Sequence, residues 1–287
     1  MIVGIIGLGL IGGSMGLDLR SLGSVQKVIG FDINSDHQEC ARRMKIVDHL
    51  VDLNELYRTS DIIILATPVN ITERILPSVL DEVSEGQIVT DVGSSKGTIC
   101  KLARNHENGH QFIAGHPIAG TEHSGPVYAK SGLFQNKTGI ICPVGKIDKK
   151  ALKKVVELYS LLGMSVEIMN PEEHDKHLAY VSHLSHISSF ALGLTVLEIE
   201  KDEKKIFDLA GSGFASTVRL AKSSADMWNP IFRSNKENIL VALGEYIEQL
   251  NIFKGLLEED QFDELQNRMN QANEVERVLA GRLIVGA

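Results

Sequence analysis

A chain that begins Ile2-Val3-Gly4-Ile5-Ile6 and runs straight into Gly7-Leu8-Gly9-Leu10-Ile11-Gly12 has few folds open to it. The apolar run reads as a strand, and the G-x-G-x-x-G spacing reads as the turn between that strand and a helix. Gly7 permits the tight turn, Gly9 lets the backbone approach a pyrophosphate with no Cβ in the way, and Gly12 allows close packing of helix on strand. The helix that opens at Leu10 and Ile11 points unpaired N–H groups and the positive end of its dipole at the phosphates. A second strand-like run, Lys27 to Phe31, ends in Asp32, twenty residues after Gly12. An acid there accepts hydrogen bonds from ribose hydroxyls and repels a 2′-phosphate, so the pattern expects NAD rather than NADP.

Alternating strand and helix signals continue to about residue 169. The continuous apolar run Ser60 to Ala66 is the pattern of a parallel strand covered on both faces, and it stops at Thr67-Pro68. Further strands are expected at Gln87 to Asp91, Phe112 to Ala114, Thr138 to Cys142 and Ser165 to Met169, with helices at Asp36 to Met44, Leu76 to Val83 and Asp148 to Leu162. This predicts a Rossmann-type doubly wound α/β domain over 1–169 with extra strands appended. At Asn170-Pro171-Glu172-Glu173 the character changes: an N-cap, a proline for the first turn and two acids announce a helix. From there to 287 nearly everything reads as helix, with a long one over Glu172 to Ile199 and another around Ser216 to Ala221. Several are apolar over wide arcs, such as Ile187 to Leu197, more than a small helical domain buries alone. A second copy supplies the missing cover, so 170–287 is expected to be an all-α dimerisation domain and the protein a homodimer.

Bulk properties narrow the function. A net charge of −8 argues against a nucleic-acid partner, whose phosphates would be repelled. Three widely spaced cysteines, Cys40, Cys100 and Cys142, suggest neither a disulfide framework nor a zinc site and suit a reducing compartment. The apolar start lacks the basic flank of a signal peptide, and charges or glycines interrupt every apolar stretch before membrane-spanning length. A cytoplasmic protein with no membrane partner is expected. The C-terminal part shows no βαββαβ pattern, so no regulatory domain of that kind is expected.

In an open parallel sheet, ligands bind beyond the carboxyl ends of the strands. Thr67 and Pro68 lie at one such end and join the expected cofactor site. Two more ends carry Asp91-Val92-Gly93-Ser94-Ser95-Lys96-Gly97 and Gly115-His116-Pro117-Ile118-Ala119-Gly120-Thr121-Glu122-His123-Ser124-Gly125. Side by side, these loops bring Ser94 and His116 to the nicotinamide position. In the helical part, Ser182 and His186 are four residues apart, on one helix face, and Arg219 follows Gly213-Phe214. Each has a plainer alternative: His116 capping a strand end, Ser94 bonding its own turn, Arg219 as a solvated charge, Lys96 as a structural ion-pair partner. Four nearby histidines raise the question of a metal. At about 100° per residue, His174, His177, His183 and His186 fall near 0°, 300°, 180° and 120° around one helix. Only the last two face alike, and no acidic ligand follows at metal spacing, so no metal site is expected.

Taken together, G-L-G-L-I-G-G-S, D-x-G-S-x-K, G-H-P-I-A-G-T-E-x-S-G, S-H-L-x-H and G-F-x-x-x-x-R-x-A with Met227-Trp228 downstream resemble the prephenate dehydrogenases of tyrosine biosynthesis. The resemblance spans nearly the whole chain, and the long H-P-I-A-G-T-E loop is its most specific element. It implies NAD-dependent oxidative decarboxylation of prephenate to 4-hydroxyphenylpyruvate. It also implies roles: His116 as base for the ring hydroxyl, Ser94 orienting that group, Arg219 holding a substrate carboxylate with His186 assisting, Thr121 and Ser182 lining the pocket. Ser212 and Ser216 depart from the glycine and aspartate of the family pattern. Arogenate dehydrogenases share these motifs, so that substrate or dual specificity stays open. A non-catalytic NAD-binding protein and the hydroxyacid dehydrogenases are less favoured alternatives. The first would be expected to have lost His116 or Arg219. The second rely on a lysine in the helical domain.

Overall fold

The computed structural model describes residues 1–145, 148–203 and 205–285. Eight strands among them form one sheet: β1 (Ile2–Ile6), β2 (Lys27–Phe31), β3 (His49–Leu50), β4 (Ile62–Leu65), β5 (Ile88–Asp91), β6 (Phe112–Pro117), β7 (Thr138–Cys142) and β8 (Ser165–Ile168), in the order β3-β2-β1-β4-β5-β6-β7-β8. The first six strands are parallel; β7 lies antiparallel to β6, and β8 parallel to β7. Because β1 is flanked by β2 on one side and β4 on the other, the strand order reverses there. That reversal opens the crevice in which such sheets take their ligands.

Both faces of the sheet are covered. Along β4, Ile62 and Ile64 join one apolar core with Val3, Ile5 and Met15, whereas Ile63 and Leu65 join the opposite core with Leu76 and Phe112. Alternate side chains of one strand enter different cores, which is why the run is apolar without alternation. The helices supplying cover are α1 (Leu10–Arg20), α2 (Ser35–Met44), α3 (Leu53–Thr59), α4 (Val69–Glu82), α5 (Gly97–Arg104) and α6 (Lys149–Leu161). Asn34 and Asp52 cap α2 and α3 through their side chains.

The helical part begins as its sequence signals require. Asn170 accepts the Glu173 N–H at 2.7 Å and Glu173 takes the Asn170 side-chain amide at 3.0 Å, with Pro171 opening α7 (Pro171–Leu178). Two expectations need correction. The single helix over Glu172 to Ile199 is broken: a π turn at Ala179–His183 separates α7 from α8 (Leu184–Glu203), a register shift that a wheel at a constant angle per residue does not contain. The helix around Ser216 to Ala221 is two short pieces, α9 (Ser212–Thr217) and a 3₁₀ turn at Arg219–Lys222. The two-residue β3, with the short α3 behind it, is too brief to leave a periodic signal.

The chain divides into two compact units, Met1–Lys236 and Glu237–Ala287. The change from mixed to purely helical sequence at residue 170 falls inside the first, which also contains α10 (Ala225–Ser234). The second comprises most of α11 (Lys236–Glu258), α12 (Phe262–Ala272) and α13 (Glu274–Val285). It exposes large apolar side chains, among them Leu240, Val241, Leu250, Phe262 and Leu279.

Candidate active site

The glycine turn is built by sterics. Gly7 has a φ of 97°, and a Cβ there would stand 2.6 Å from the Ala66 carbonyl oxygen at the end of β4. At Gly12 a Cβ would meet the Gly7 carbonyl oxygen at 2.0 Å, whereas one at Gly9 would meet nothing within 4 Å. Two glycines therefore make the turn, and the third leaves open the space a phosphate needs. Gly9 caps α1 without any side-chain hydrogen bond, so the N–H groups of the first turn, at Leu10 and Ile11, receive no side-chain cap. Asp32, buried beyond β2, accepts the Leu8 N–H at 2.7 Å and the Asn34 N–H at 2.9 Å, with His37 Nδ1 at 3.2 Å. Its carboxylate thus braces the glycine turn, a task the spacing alone does not announce. Thr67 and Pro68 leave β4 next to Gly7; Pro68 caps α4, and the Thr67 hydroxyl pairs with that of Thr72 at 2.7 Å. These residues fit a dinucleotide.

One strand pair further along, β5 and β6 run parallel and carry their loops to the same edge. His116, on β6, is buried, and its Nδ1 lies 2.8 Å from Nε2 of His174 on α7. His174 Nδ1 is in turn 2.8 Å from Asp175 Oδ1. The Asp175 carboxylate accepts the backbone N–H groups of Lys96 and Gly97, both at 2.7 Å, at the start of α5. Lys96 is wholly buried and pairs with Asp91 at 2.5 Å, and Asp91 also accepts the Gly115 N–H at 3.1 Å and the Gly93 N–H at 2.9 Å. Lys96 is therefore the structural ion-pair partner its position suggested. It ties the loop carrying half-buried Ser94 to the strand carrying His116.

Burial pushes the His116 imidazole well below its ordinary pKa, and the Lys96 charge adds to the effect, as would a proton on His174 or His183. His116 is neutral near pH 7. Burial also lowers His174, against the pull of Asp175. Burial alone would raise Asp175, but the His174 contact and the Gly97 and Lys96 N–H groups hold it below the usual carboxylate range.

The remaining predicted residues gather along α8 and the loop after β6. The 3₁₀ turn bearing Arg219 is clipped to α8 by Ser189, whose hydroxyl donates to Thr217 O at 2.9 Å and accepts the Ala221 N–H at 3.1 Å. The Arg219 guanidinium is about half exposed and reaches Glu122 of the H-P-I-A-G-T-E loop at 3.4 Å. That contact joins the loop after β6 to the arginine turn. His186 stacks on Trp228 with ring centroids 3.5 Å apart, and its Nδ1 bonds the Ser182 carbonyl at 3.0 Å. Burial, with the Arg219 charge working against the Ser182 contact, keeps the His186 pKa below its ordinary value. The Thr121 hydroxyl accepts the His123 N–H at 3.2 Å in a local turn.

With this geometry established, similarity to known proteins decides the family. A family model for the nucleotide-binding domain of prephenate dehydrogenase matches residues 15–168, and one for its dimerization domain matches 170–271. The chain belongs to the prephenate dehydrogenase family. Prephenate dehydrogenase of Bacillus subtilis is 31% identical over 262 residues, 90% of this chain and 71% of that protein. A crystal structure of prephenate dehydrogenase from A. aeolicus, in complex with hydroxyphenyl propionate and NAD+, has a TM-score of 0.89 at 35% identity and covers 97% of each chain. Synechocystis arogenate dehydrogenase superposes with a TM-score of 0.77 at 31% identity over 96% of this chain and 99% of that one.

The sequence pattern assigns no role to His174 or Asp175, yet both stand behind His116. The nearest local signal was the His-Asp pair directly after a well-capped helix start. Glu122 lay in plain view within the specific loop but carried no assigned task.

Proposed function

We propose that this chain catalyses the oxidative decarboxylation of prephenate to 4-hydroxyphenylpyruvate and CO₂ with NAD as oxidant. The observation that carries the reading is a buried, neutral His116 at the sheet edge, with the loop that follows it tied through Glu122 to Arg219. When bound, NAD accepts the hydride from the ring carbon that bears the hydroxyl. The protein's own contribution is positioning and one proton. His116 accepts the hydroxyl proton as the ring oxygen takes on carbonyl character, and Ser94 orients that hydroxyl. Arg219 exchanges the single Glu122 contact for a bidentate pair with a substrate carboxylate, a planar group its fork matches. His186 assists there, and Ser182 and Thr121 line the pocket. Loss of CO₂ opposite the departing hydride makes the ring aromatic, so the drive comes from the substrate.

On this reading residues 1–169 bind the nucleotide through Gly7, Gly9, Leu10, Ile11, Gly12, Asp32, Thr67 and Pro68. Residues 170–287 bind substrate and pair two copies. The homodimer is supported by the match to a dimerization domain and by the apolar side chains exposed on α8 and α11, such as Leu194 and Val241. A cytoplasmic location is supported by the three free cysteines. Among the described residues no helix is long and apolar enough to cross a membrane.

The test is direct. Purified protein with prephenate and NAD should generate NADH and CO₂ in equal amounts, with NADP a poorer oxidant. Parallel assays with arogenate address the second reading, which the likeness to the Synechocystis enzyme favours. No NADH with either substrate rejects both.

A further inference from the structure

His116 cannot serve as a base unless the ring nitrogen facing the substrate lacks a proton, and neutral imidazole has two tautomers. The contacts behind it choose between them, beginning at the end of the relay whose state is unambiguous. The Asp175 carboxylate receives two backbone N–H groups at the start of α5, a setting that keeps it ionised and able only to accept. His174 Nδ1, 2.8 Å away, must then carry a hydrogen, because a lone pair against a carboxylate at that distance is repelled. In neutral His174 the other nitrogen, Nε2, is left with a lone pair. That lone pair faces His116 Nδ1 at 2.8 Å, so His116 Nδ1 carries the hydrogen and donates it. His116 Nε2, which has no hydrogen-bond partner among the described residues, is left as the acceptor.

We propose that His174, oriented by Asp175, is a positioning residue that holds His116 in its Nδ1–H tautomer and so keeps Nε2 available for the substrate hydroxyl. The assignment rests on the proposed function only for what that nitrogen receives. As the hydride leaves, the hydroxyl O–H bond breaks, its proton bonds to His116 Nε2 and its electron pair forms a C–O double bond; when the C–CO₂ bond then breaks, its electrons enter the ring, the C–O bond becomes single again and the proton returns from Nε2 to the phenol oxygen. Between these steps the imidazolium keeps its Nδ1–H directed at His174, with the Asp175 carboxylate one ring further on, so the positive charge formed is met by a lone pair and then by an anion.

The surroundings work in the same sense. The other charged or titratable groups that face His116 are Lys96, already paired with Asp91, and His183 on the π turn. The Lys96 charge disfavours an added proton on His116. His183 is itself contacted at Nδ1 by Asn235, whose amide also donates to the Asp175 carbonyl at 2.7 Å. Asn235 therefore ties α7 to the π turn.

Nitrogen-15 NMR of the ligand-free, full-length protein at pH 7.5 reads the tautomers without activity, with the two histidines assigned by their loss in His116→Asn and His174→Phe. Both should show a protonated Nδ1 and a bare Nε2; a His116 protonated at Nε2 overturns the proposal. In kinetics, His174→Phe should lower kcat on prephenate by roughly 100-fold, since a misoriented histidine tautomer costs about that or more, while KM stays within about twofold. His174→Gln, whose side-chain oxygen can still accept from His116 Nδ1–H, should recover at least about tenfold of that loss. An unchanged kcat, a KM rising in step with the loss, or a Gln variant no better than Phe each contradict the role. Should His174→Phe fail to fold, the signal lost in His174→Gln supplies the assignment and the wild-type tautomers decide. A wild type inactive on prephenate would remove the proposed function and leave the tautomer result standing.

Discussion

Lys96 Nζ sits 2.5 Å from Asp91 Oδ2, and both side chains are closed off from solvent. The pair links the loop after β5 to the strand that carries His116, because Asp91 also accepts the Gly115 N–H. Removing one partner strands a buried charge, which typically costs about 3–5 kcal/mol, whereas removing both need cost little. Lys96→Met should therefore unfold at markedly lower urea, and Lys96→Met with Asp91→Asn should regain much of that loss. A single variant within about 1 kcal/mol of wild type would mean the pair is not the tie described here.

Acid should destabilise the fold through its histidines. Burial pushes His183 down to about 4 and lowers His116, His174 and His186 as well. The unfolded chain takes up these protons near pH 6.5 and the folded chain only at lower pH, so stability is complete above 6.5 and drains away as pH falls towards 4. For His183 alone the difference is worth about 3 kcal/mol. Glu73, raised by burial, works in the opposite direction but is a single group. Melting temperatures between pH 7.5 and pH 4.5 should fall steeply for wild type and less steeply for His183→Leu. Equal slopes would contradict the assignment.

Activity should tolerate acid better than an ordinary histidine would. The base must be neutral to accept a proton, and burial holds His116 well below its usual pKa. The acid limb of kcat/KM for prephenate is thus expected below about pH 6.5, the free-histidine value. A limb above it would assign the essential proton to another group.

On the proposed function, Arg219 holds a substrate carboxylate in the ground state. Its guanidinium is half exposed, held to Glu122 by one contact at 3.4 Å, and clipped in place by Ser189. Arg219→Ala should raise KM for prephenate by roughly 10- to 100-fold with a smaller effect on kcat, the signature of lost uniform binding. An unchanged KM would place the carboxylate anchor elsewhere.

Much of this architecture was legible because it is local. β4 is apolar at every position since its two faces enter different cores, and the Asn170-Pro171-Glu173 helix start satisfies its own backbone within four residues. The glycine turn was legible for the same reason: its constraints are clashes with its own neighbourhood. What stayed hidden depends on partners distant in sequence or on broken periodicity. The His116–His174 contact spans 58 residues, and no spacing rule reports it. The π turn shifts the register of the histidine helix, so angles computed for one straight helix misplace His183 and His186 relative to His174. Both in fact face Trp228, with ring centroids at 5.8 and 3.5 Å. Arg219 looked helical because its neighbours suit a helix, yet the chain there is a 3₁₀ turn anchored by a serine thirty residues earlier.

The central claim is that His116 takes the proton of the substrate hydroxyl while NAD is reduced. It is tested most directly by initial rates of NADH formation from prephenate, comparing wild type with His116→Asn at pH 7.5. The expected result is robust turnover for wild type and a kcat lower by roughly 10²- to 10⁴-fold in the variant, with the affinity for NAD retained. A variant that turns over prephenate as fast as wild type would contradict the account.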